Sequence, residues 1–291
     1  MSVPALPHEE RMRRVQLSLD GLSVGDAFGE RFFGPPGTMT IRIAARELPD
    51  PPWRWTDDTA MGLGVTEVLA THGRIAQDAL ADVFARRFRA DRHRGYGPKA
   101  QEILELIYLG TPWKLAAHTP YKDGSKGNGS AMRVAPVGAY FADDLERVAV
   151  EARASAEITH AHPEGKQGAI AVALAAAWAV RAEGSLFDVV LPRLEASETR
   201  RRIEEVAALS PTLAPWQVAA RVGAGEQVLV EDTVPFTLWC AASFIGSFEE
   251  AMWSTVSALG DRDTTCAIVG GIVALRSPIP PAWLTAREPL R

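Results

Sequence analysis

Hydrophobic positions along this chain recur three and four residues apart over most of its length, which is the period of an amphipathic helix. That pattern predicts helices over roughly residues 13–28, 58–72, 75–89, 98–109, 145–157, 165–183, 185–209, 213–222, 230–242, 247–259 and 263–275. The stretch 169–180 is apolar at every position, as in a helix buried on all sides, and is too short to span a bilayer. No segment alternates strictly between apolar and polar residues, as a half-buried strand would. Two stretches break the period and are predicted loops: the proline-rich 32–55, and 111–129, which ends in Gly124-Ser125-Lys126-Gly127-Asn128-Gly129. Long loops inside a compact chain are often functional. The predicted architecture is all-α, one orthogonally packed multi-helix domain over 1–291, with 185–222 as a peripheral excursion.

Composition narrows the class. With 291 residues, 47% of them hydrophobic, there is material for a sizeable core. A net charge of −5 provides no global basic field for nucleic acid or an acidic membrane. Cys240 and Cys266 are too few for a disulfide framework or a zinc finger, and are expected to be buried thiols in a reducing compartment. The polar, charged start of the chain has no apolar core of the signal-peptide kind. The expectation is a soluble cytoplasmic monomer.

Five short segments carry candidate chemistry. Trp55-Thr56-Asp57-Asp58-Thr59 and Gly260-Asp261-Arg262-Asp263-Thr264 each place two carboxylates and a threonine hydroxyl before an apolar helical run. Either alone could be a solvated helix start, since Asp and Thr are favoured there. Together they form a set of hard oxygen donors with no obligatory His or Cys, suited to Mg²⁺ or Mn²⁺ rather than zinc. Four converging carboxylates would repel strongly unless cations joined them. Gly127-Asn128-Gly129-Ser130 lacks the Lys-Ser/Thr of a P-loop, but could bring backbone N–H groups close to an anion. Thr159-His160-Ala161-His162 has too few ligands for zinc and reads either as a helix-end histidine or as a substrate contact through His160. Gly21, Gly25 and Gly29 form a small-residue stripe for close helix packing, and Asp26 beside it is too costly to bury unpaired, so it is expected to support the site from behind.

In this order the segments, with Gly25-Asp26-Ala27-Phe28-Gly29 first and Ile279-Pro280-Pro281-Ala282-Trp283 last, resemble the ADP-ribosylglycohydrolase family, which includes the dinitrogenase-reductase-activating glycohydrolase. The resemblance runs from about Val15 to Trp283. It implies an all-α fold and two Mg²⁺ or Mn²⁺ ions held by Thr56, Asp57, Asp58, Asp261, Asp263 and Thr264. It also implies hydrolysis of the N- or O-glycosidic bond between ADP-ribose and a protein side chain, such as arginine or serine, or a small conjugate. Asn128, Gly129 and Ser130 would hold the pyrophosphate region, with His160 nearby.

Asp57, Asp58 and Asp263 are the expected catalytic carboxylates. Glu30 is expected to protonate the leaving group or position the acceptor, a task for which Asp91 is the other candidate. Two positions depart from the family pattern. Phe33 stands where the family commonly has glutamate, and Asp91 is displaced from an aspartate expected within residues 92–98. An altered, binding-only relative is the alternative reading.

Overall fold

Glycines at Gly21, Gly25 and Gly29 remove the side chains from one face of the first long helix, and the arrangement of the site follows from that bare face. The computed structural model describes residues 6–290. The α-helices among the described residues are α1 (His8–Glu30), α2 (Pro36–Ala44), α3 (Asp57–His72), α4 (Gln77–Ala90), α5 (Pro98–Tyr108), α6 (Trp113–Ala116), α7 (Ala135–Tyr140) and α8 (Leu145–Glu157). They continue with α9 (Pro163–Arg181), α10 (Leu186–Val190), α11 (Glu198–Ala207), α12 (Pro215–Val222), α13 (Val230–Ser243), α14 (Phe248–Val256), α15 (Arg262–Val273) and α16 (Pro281–Ala286). Strand-like pairing among the described residues is limited to two isolated bridges, Trp53 with Arg287 and Gly127 with Leu229.

The glycine face of α1 lies against the backbone of α15. A Cβ on Gly25 would stand 2.1 Å from the Cys266 carbonyl oxygen, and one on Gly29 would stand 2.1 Å from that of Arg262. Gly21 and Gly270 meet in the same way. Such contact brings the two helix backbones together with nothing between them, so the start of α15, with Asp261 and Asp263, is fixed relative to Asp26 on α1. Behind this pair runs α9, the buried helix predicted from the 169–180 run, with every residue from Gly165 to Ala179 except Lys166 buried. It packs against α7, α8, α13 and α15. Both cysteines are buried free thiols, as expected.

Several elements differ from the periodic reading. Residues 32–55 contain α2, which starts on Pro36, because proline at the first helical position has the right φ and needs no N–H partner. The stretch 185–209 is two helices, α10 and α11, separated by a 3₁₀ turn at Leu191–Arg193. Pro192 within that turn cannot continue a helix. The excursion 185–222 is a covering layer, since Ile203, Val206, Val218 and Val222 bury themselves, and α11 and α12 both pack against α13.

Candidate active site

The site is assembled at the start of α3. Thr56 is extended and caps the helix, its hydroxyl accepting the Asp58 N–H. That hydroxyl also lies 2.9 Å from Asp26 Oδ1 and 3.1 Å from Asp58 Oδ2. Asp26 accepts the Thr56 N–H at 2.9 Å and the Thr59 N–H at 3.0 Å, with the Thr59 hydroxyl at 2.5 Å. A fully buried carboxylate on α1 thus ties down the first turn of α3. Burial nevertheless pushes the Asp26 pKa up to about 6, against the lowering effect of its hydrogen bonds.

The starts of α3 and α15 open on one cavity of about 830 Å³, lined by Asp57, Asp58, Asp261, Asp263 and Thr264 together with Gly127, Asn128, Gly129 and His160. The two acidic clusters therefore meet. Their electrostatics are those of crowded carboxylates. Burial, then the charges of Asp26, Asp263, Asp57 and Asp261, hold the Asp58 carboxyl well above the usual range. Asp263 is raised first by burial and then by Asp261 and Asp26. Burial and then Asp26 push Asp57 up to about 8. Asp58 Oδ1 is buried with no hydrogen-bond partner among the described residues. The donors that could take a cation are all oxygens, although among the described residues no three Asp, Glu, His or Cys side chains already close into a ligand cage.

The other expected residues distribute unevenly. Asn128 Nδ2 donates to Asp261 Oδ2 at 2.7 Å and to Thr233 Oγ1 at 3.1 Å, so its amide holds a carboxylate in place. Gly129 faces the cavity, while the Ser130 hydroxyl is buried and donates to the Gly165 carbonyl at 2.8 Å. His160 lines the cavity, and burial depresses its pKa to about 3, with the Arg133 charge adding to the effect. Thr56 is behind the wall rather than in it. Glu30 is exposed at the end of α1, outside the lining, but near enough to Asp261 for that charge to add to the upward shift that burial gives it. Phe33 is also exposed, and the Arg262 guanidinium sits 4.9 Å from its ring centre.

The structure does not bring Asp91 to the cavity. Its Oδ2 accepts from Arg94 Nε at 2.8 Å and its Oδ1 from the His93 N–H at 3.2 Å. Arg94 is the more consequential residue of that loop, and periodicity gave no sign of it. Its guanidinium lies 3.5 Å from the Trp55 ring centre, donates to the Trp55 carbonyl, and grips both oxygens of Glu288 at 2.7 and 2.9 Å. The Arg94 carbonyl accepts the Asp57 N–H at 2.6 Å. The chain's last segment therefore braces the acidic turn through one arginine. Replacing Glu288 with Gln should lower unfolding free energy by about 1–2 kcal/mol, as for loss of a charge-assisted bidentate pair that is only partly exposed. Urea titration measures this, and an unchanged midpoint would remove Glu288 from the brace.

Sequence reasoning also missed Gln227, Val228 and Leu229, which line the cavity opposite no recognisable motif. Val228 has φ +57°, and its carbonyl accepts the Asn128 N–H at 3.1 Å. A β-branched residue in the left-handed region is strained, and such strain concentrates at working sites. Asp232 Oδ2 and Oδ1 hold this turn by accepting the Gln227 and Leu229 N–H groups at 2.8 and 3.1 Å. Lys99, Lys122 and Lys126 line the same cavity.

Comparison with known proteins gives a family to this arrangement. The sequence profile of the ADP-ribosylglycohydrolases matches residues 7–290. The chain belongs to the ADP-ribosylglycohydrolase family. Its relatives in that family include an uncharacterised protein of Archaeoglobus fulgidus, 30% identical, with 95% of this chain and 91% of the relative aligned. Human ADP-ribosylhydrolase ARH3 is 24% identical over 95% of this chain and 90% of its own. The ADP-ribosylarginine hydrolase Tri1 of Serratia proteamaculans is 22% identical over 96% of this chain and 76% of its own. Among solved structures, a chain of an ADP-ribosylglycohydrolase-related protein complex superposes with a TM-score of 0.67 at 25% identity, covering 96% of this chain and 94% of that one. The all-α fold expected of the family is the fold found. No helix among the described residues is long and apolar enough to cross a membrane.

Proposed function

We propose that this protein is a metal-dependent ADP-ribosyl hydrolase that cuts the glycosidic bond between the distal ribose of ADP-ribose and its acceptor. The observation that carries the reading is the meeting of Asp57, Asp58, Asp261 and Asp263 in one cavity, with Asp58 Oδ1 left without a partner. The donor chemistry fits a pair of hard dications: the side chains of the two acidic clusters that line the cavity offer oxygens, and the carboxylates crowd one another. Asp57, Asp58, Asp261, Asp263 and Thr264 line the cavity and would hold Mg²⁺ or Mn²⁺, while Thr56, set behind the wall, would act on the site through its hydrogen bond to Asp58. Two divalent ions in such a site supply an activated water for attack at the anomeric carbon and countercharge for the carboxylates.

The remaining work falls to this chain's own groups. Asn128 fixes Asp261 through its amide. Asp26 and Thr56 fix the turn that presents Asp57 and Asp58. The glycines of residues 127–129 let a pyrophosphate approach the backbone without meeting a side chain. Asp57, Asp58 and Asp263 are the carboxylates that can accept a proton from the attacking water. Glu30, near Asp261 and with its pKa raised chiefly by burial, is the group suited to hand a proton to the leaving acceptor. The substrate is an ADP-ribosylated protein or a small ADP-ribosyl conjugate.

Thermal melting with Mg²⁺ or Mn²⁺, with and without ADP-ribose, tests the reading, followed by release of ADP-ribose from arginine-linked, serine-linked and O-acetyl substrates. The expected result is metal-dependent stabilisation, further stabilisation by ADP-ribose, and turnover of at least one substrate. Stabilisation without turnover on any of them would make the protein a binder, and no response to either metal would overturn the site assignment.

A further inference from the structure

Behind the cavity wall lies an arginine that makes no salt bridge among the described residues, although Asp57 is near enough for each to feel the other's charge. Arg133 has no exposed surface. Its Nη1 donates to the Gly129 carbonyl at 3.1 Å and to Thr159 Oγ1 at 3.0 Å, its Nη2 donates to the Ser155 carbonyl at 2.7 Å, and its guanidinium sits 4.6 Å from the Phe84 ring centre. Thr159, itself fully buried, has one further contact, 2.7 Å to His160 Nδ1. The Nε2 edge of His160 reaches the gap where Gly127 and Gly129 have no side chains, since Cβ atoms built there would stand 3.3 and 3.0 Å from Nε2. No hydrogen bond within the described residues engages Nε2, and the ring lines the cavity.

The chain of donors admits one arrangement that satisfies both Thr159 and His160. Arginine can only donate, so Thr159 Oγ1 accepts from it. If His160 Nδ1 carried the proton and donated to the same oxygen, the Thr159 hydroxyl hydrogen would be buried with no acceptor. That outcome costs more than a made hydrogen bond returns. If Thr159 instead donates to an unprotonated Nδ1, both groups are satisfied and the imidazole proton sits on Nε2.

We propose that Arg133 and Thr159 are positioning residues that fix His160 as the Nε2–H tautomer, so that a neutral N–H donor is presented between Gly127 and Gly129 to an oxygen of the bound ligand. A phosphate or sugar oxygen of an ADP-ribosyl group fits this donor, and that part alone rests on the proposed function. A neutral donor attracts an oxygen without adding charge beside Arg133, and the burial that keeps His160 uncharged serves the same end.

Nitrogen-resolved NMR of ring-labelled histidine in the full chain tests the relay. At neutral pH His160 is expected to show a single tautomer, protonated at Nε2, with Nδ1 at the shift of a hydrogen-bonded acceptor. ADP-ribose, titrated in with Mg²⁺, should move the Nε2–H signal. Thr159→Val should shift Nδ1 toward a free acceptor and weaken ADP-ribose binding about tenfold, as expected for disturbing one buried hydrogen bond. Thr159→Ser, which keeps the hydroxyl, should restore both.

A proton on Nδ1 in the unaltered protein overturns the inference, as does ADP-ribose that binds by calorimetry without moving the His160 signals. Thr159→Val with an unmoved Nδ1 signal overturns it too, and a Thr159→Ser protein that folds without restoring the signal does the same. ADP-ribose that fails to bind, while His160 has the expected tautomer and Thr159→Val shifts it, supports the relay and counts against the proposed function instead.

Discussion

Exchanging Asp58 for asparagine is expected to make the metal-free protein more stable and the enzyme inactive. Asp58 is buried among Asp26, Asp57, Asp261 and Asp263, and one of its oxygens has no partner. An amide keeps the shape and can still meet the Thr56 hydroxyl, but carries no charge to be desolvated. The gain in chelator should be about 1–3 kcal/mol, a few degrees in melting temperature for a chain of this size. Turnover should fall on the order of 10²–10³-fold, the usual loss when one preorganised electrostatic group is removed. Stabilisation by Mn²⁺ should shrink in the same variant.

The pH dependence has a definite sign. In the unfolded chain these carboxylates ionise near pH 4, whereas Asp57 keeps its proton in the folded, metal-free protein to about pH 8 and Asp26 to about 6. Stability in chelator should therefore fall as pH rises through that window, and fall less in the Asp58→Asn variant. Asp263→Asn should behave alike, and the double variant should lose little more activity than either single one, because the carboxylates act as a unit. A melting temperature lowered by Asp58→Asn in chelator, or turnover kept near the starting rate, would count against the proposed metal site.

Adding a single methyl group at Gly25 should do more damage than any surface change. The new Cβ would stand 2.1 Å from the Cys266 carbonyl oxygen and 2.6 Å from its carbon, both backbone atoms that no side-chain rotation can clear. The helices α1 and α15 would have to part. The expected cost is at least about 3 kcal/mol, beyond ordinary overpacking, because backbone rather than a side chain must yield. Part of the effect should be functional, since α15 carries Asp263 and Asp26 is the next residue on α1. Gly37→Ala is the control. That glycine is in a helix with nothing within 4 Å of a built Cβ, so the variant should be neutral or slightly stabilised. Chemical unfolding of both variants makes the comparison, and Gly25→Ala at the stability of Gly37→Ala would mean that the contact is not tight.

The structure bears out the parts of the chain where chemistry is local. Helical periodicity marked α3, α5, α8, α13 and α15, and an unbroken apolar run marked α9, which is buried on all sides. The Asp-Asp and Asp-x-Asp pairs stood out because adjacent carboxylates at a helix start are costly without a purpose. The glycine stripe on α1 declared a close approach, though not which helix would make it. Short elements escaped: α2, α7 and α16 are 9, 6 and 6 residues long, too short for an apolar face to repeat more than once or twice.

What only the tertiary structure decided is who pairs with whom. Arg94 finds Glu288, 194 residues away, and Asn128 finds Asp261, 133 residues away. Nothing in either local sequence names the partner. Arg133 left one trace, a lone charge in the apolar stretch from Ala131 to Val137. Its meaning depends on Thr159 and His160 arriving from another helix end. Asp91 shows the converse: it has the right chemistry, but the end of α4 turns it toward Arg94. Residue type and spacing settle which groups are expensive to bury. The fold alone settles whether a buried group meets the opposite charge, a hydrogen-bond partner or another of its own kind, because interaction energy depends on separation in space and not along the chain.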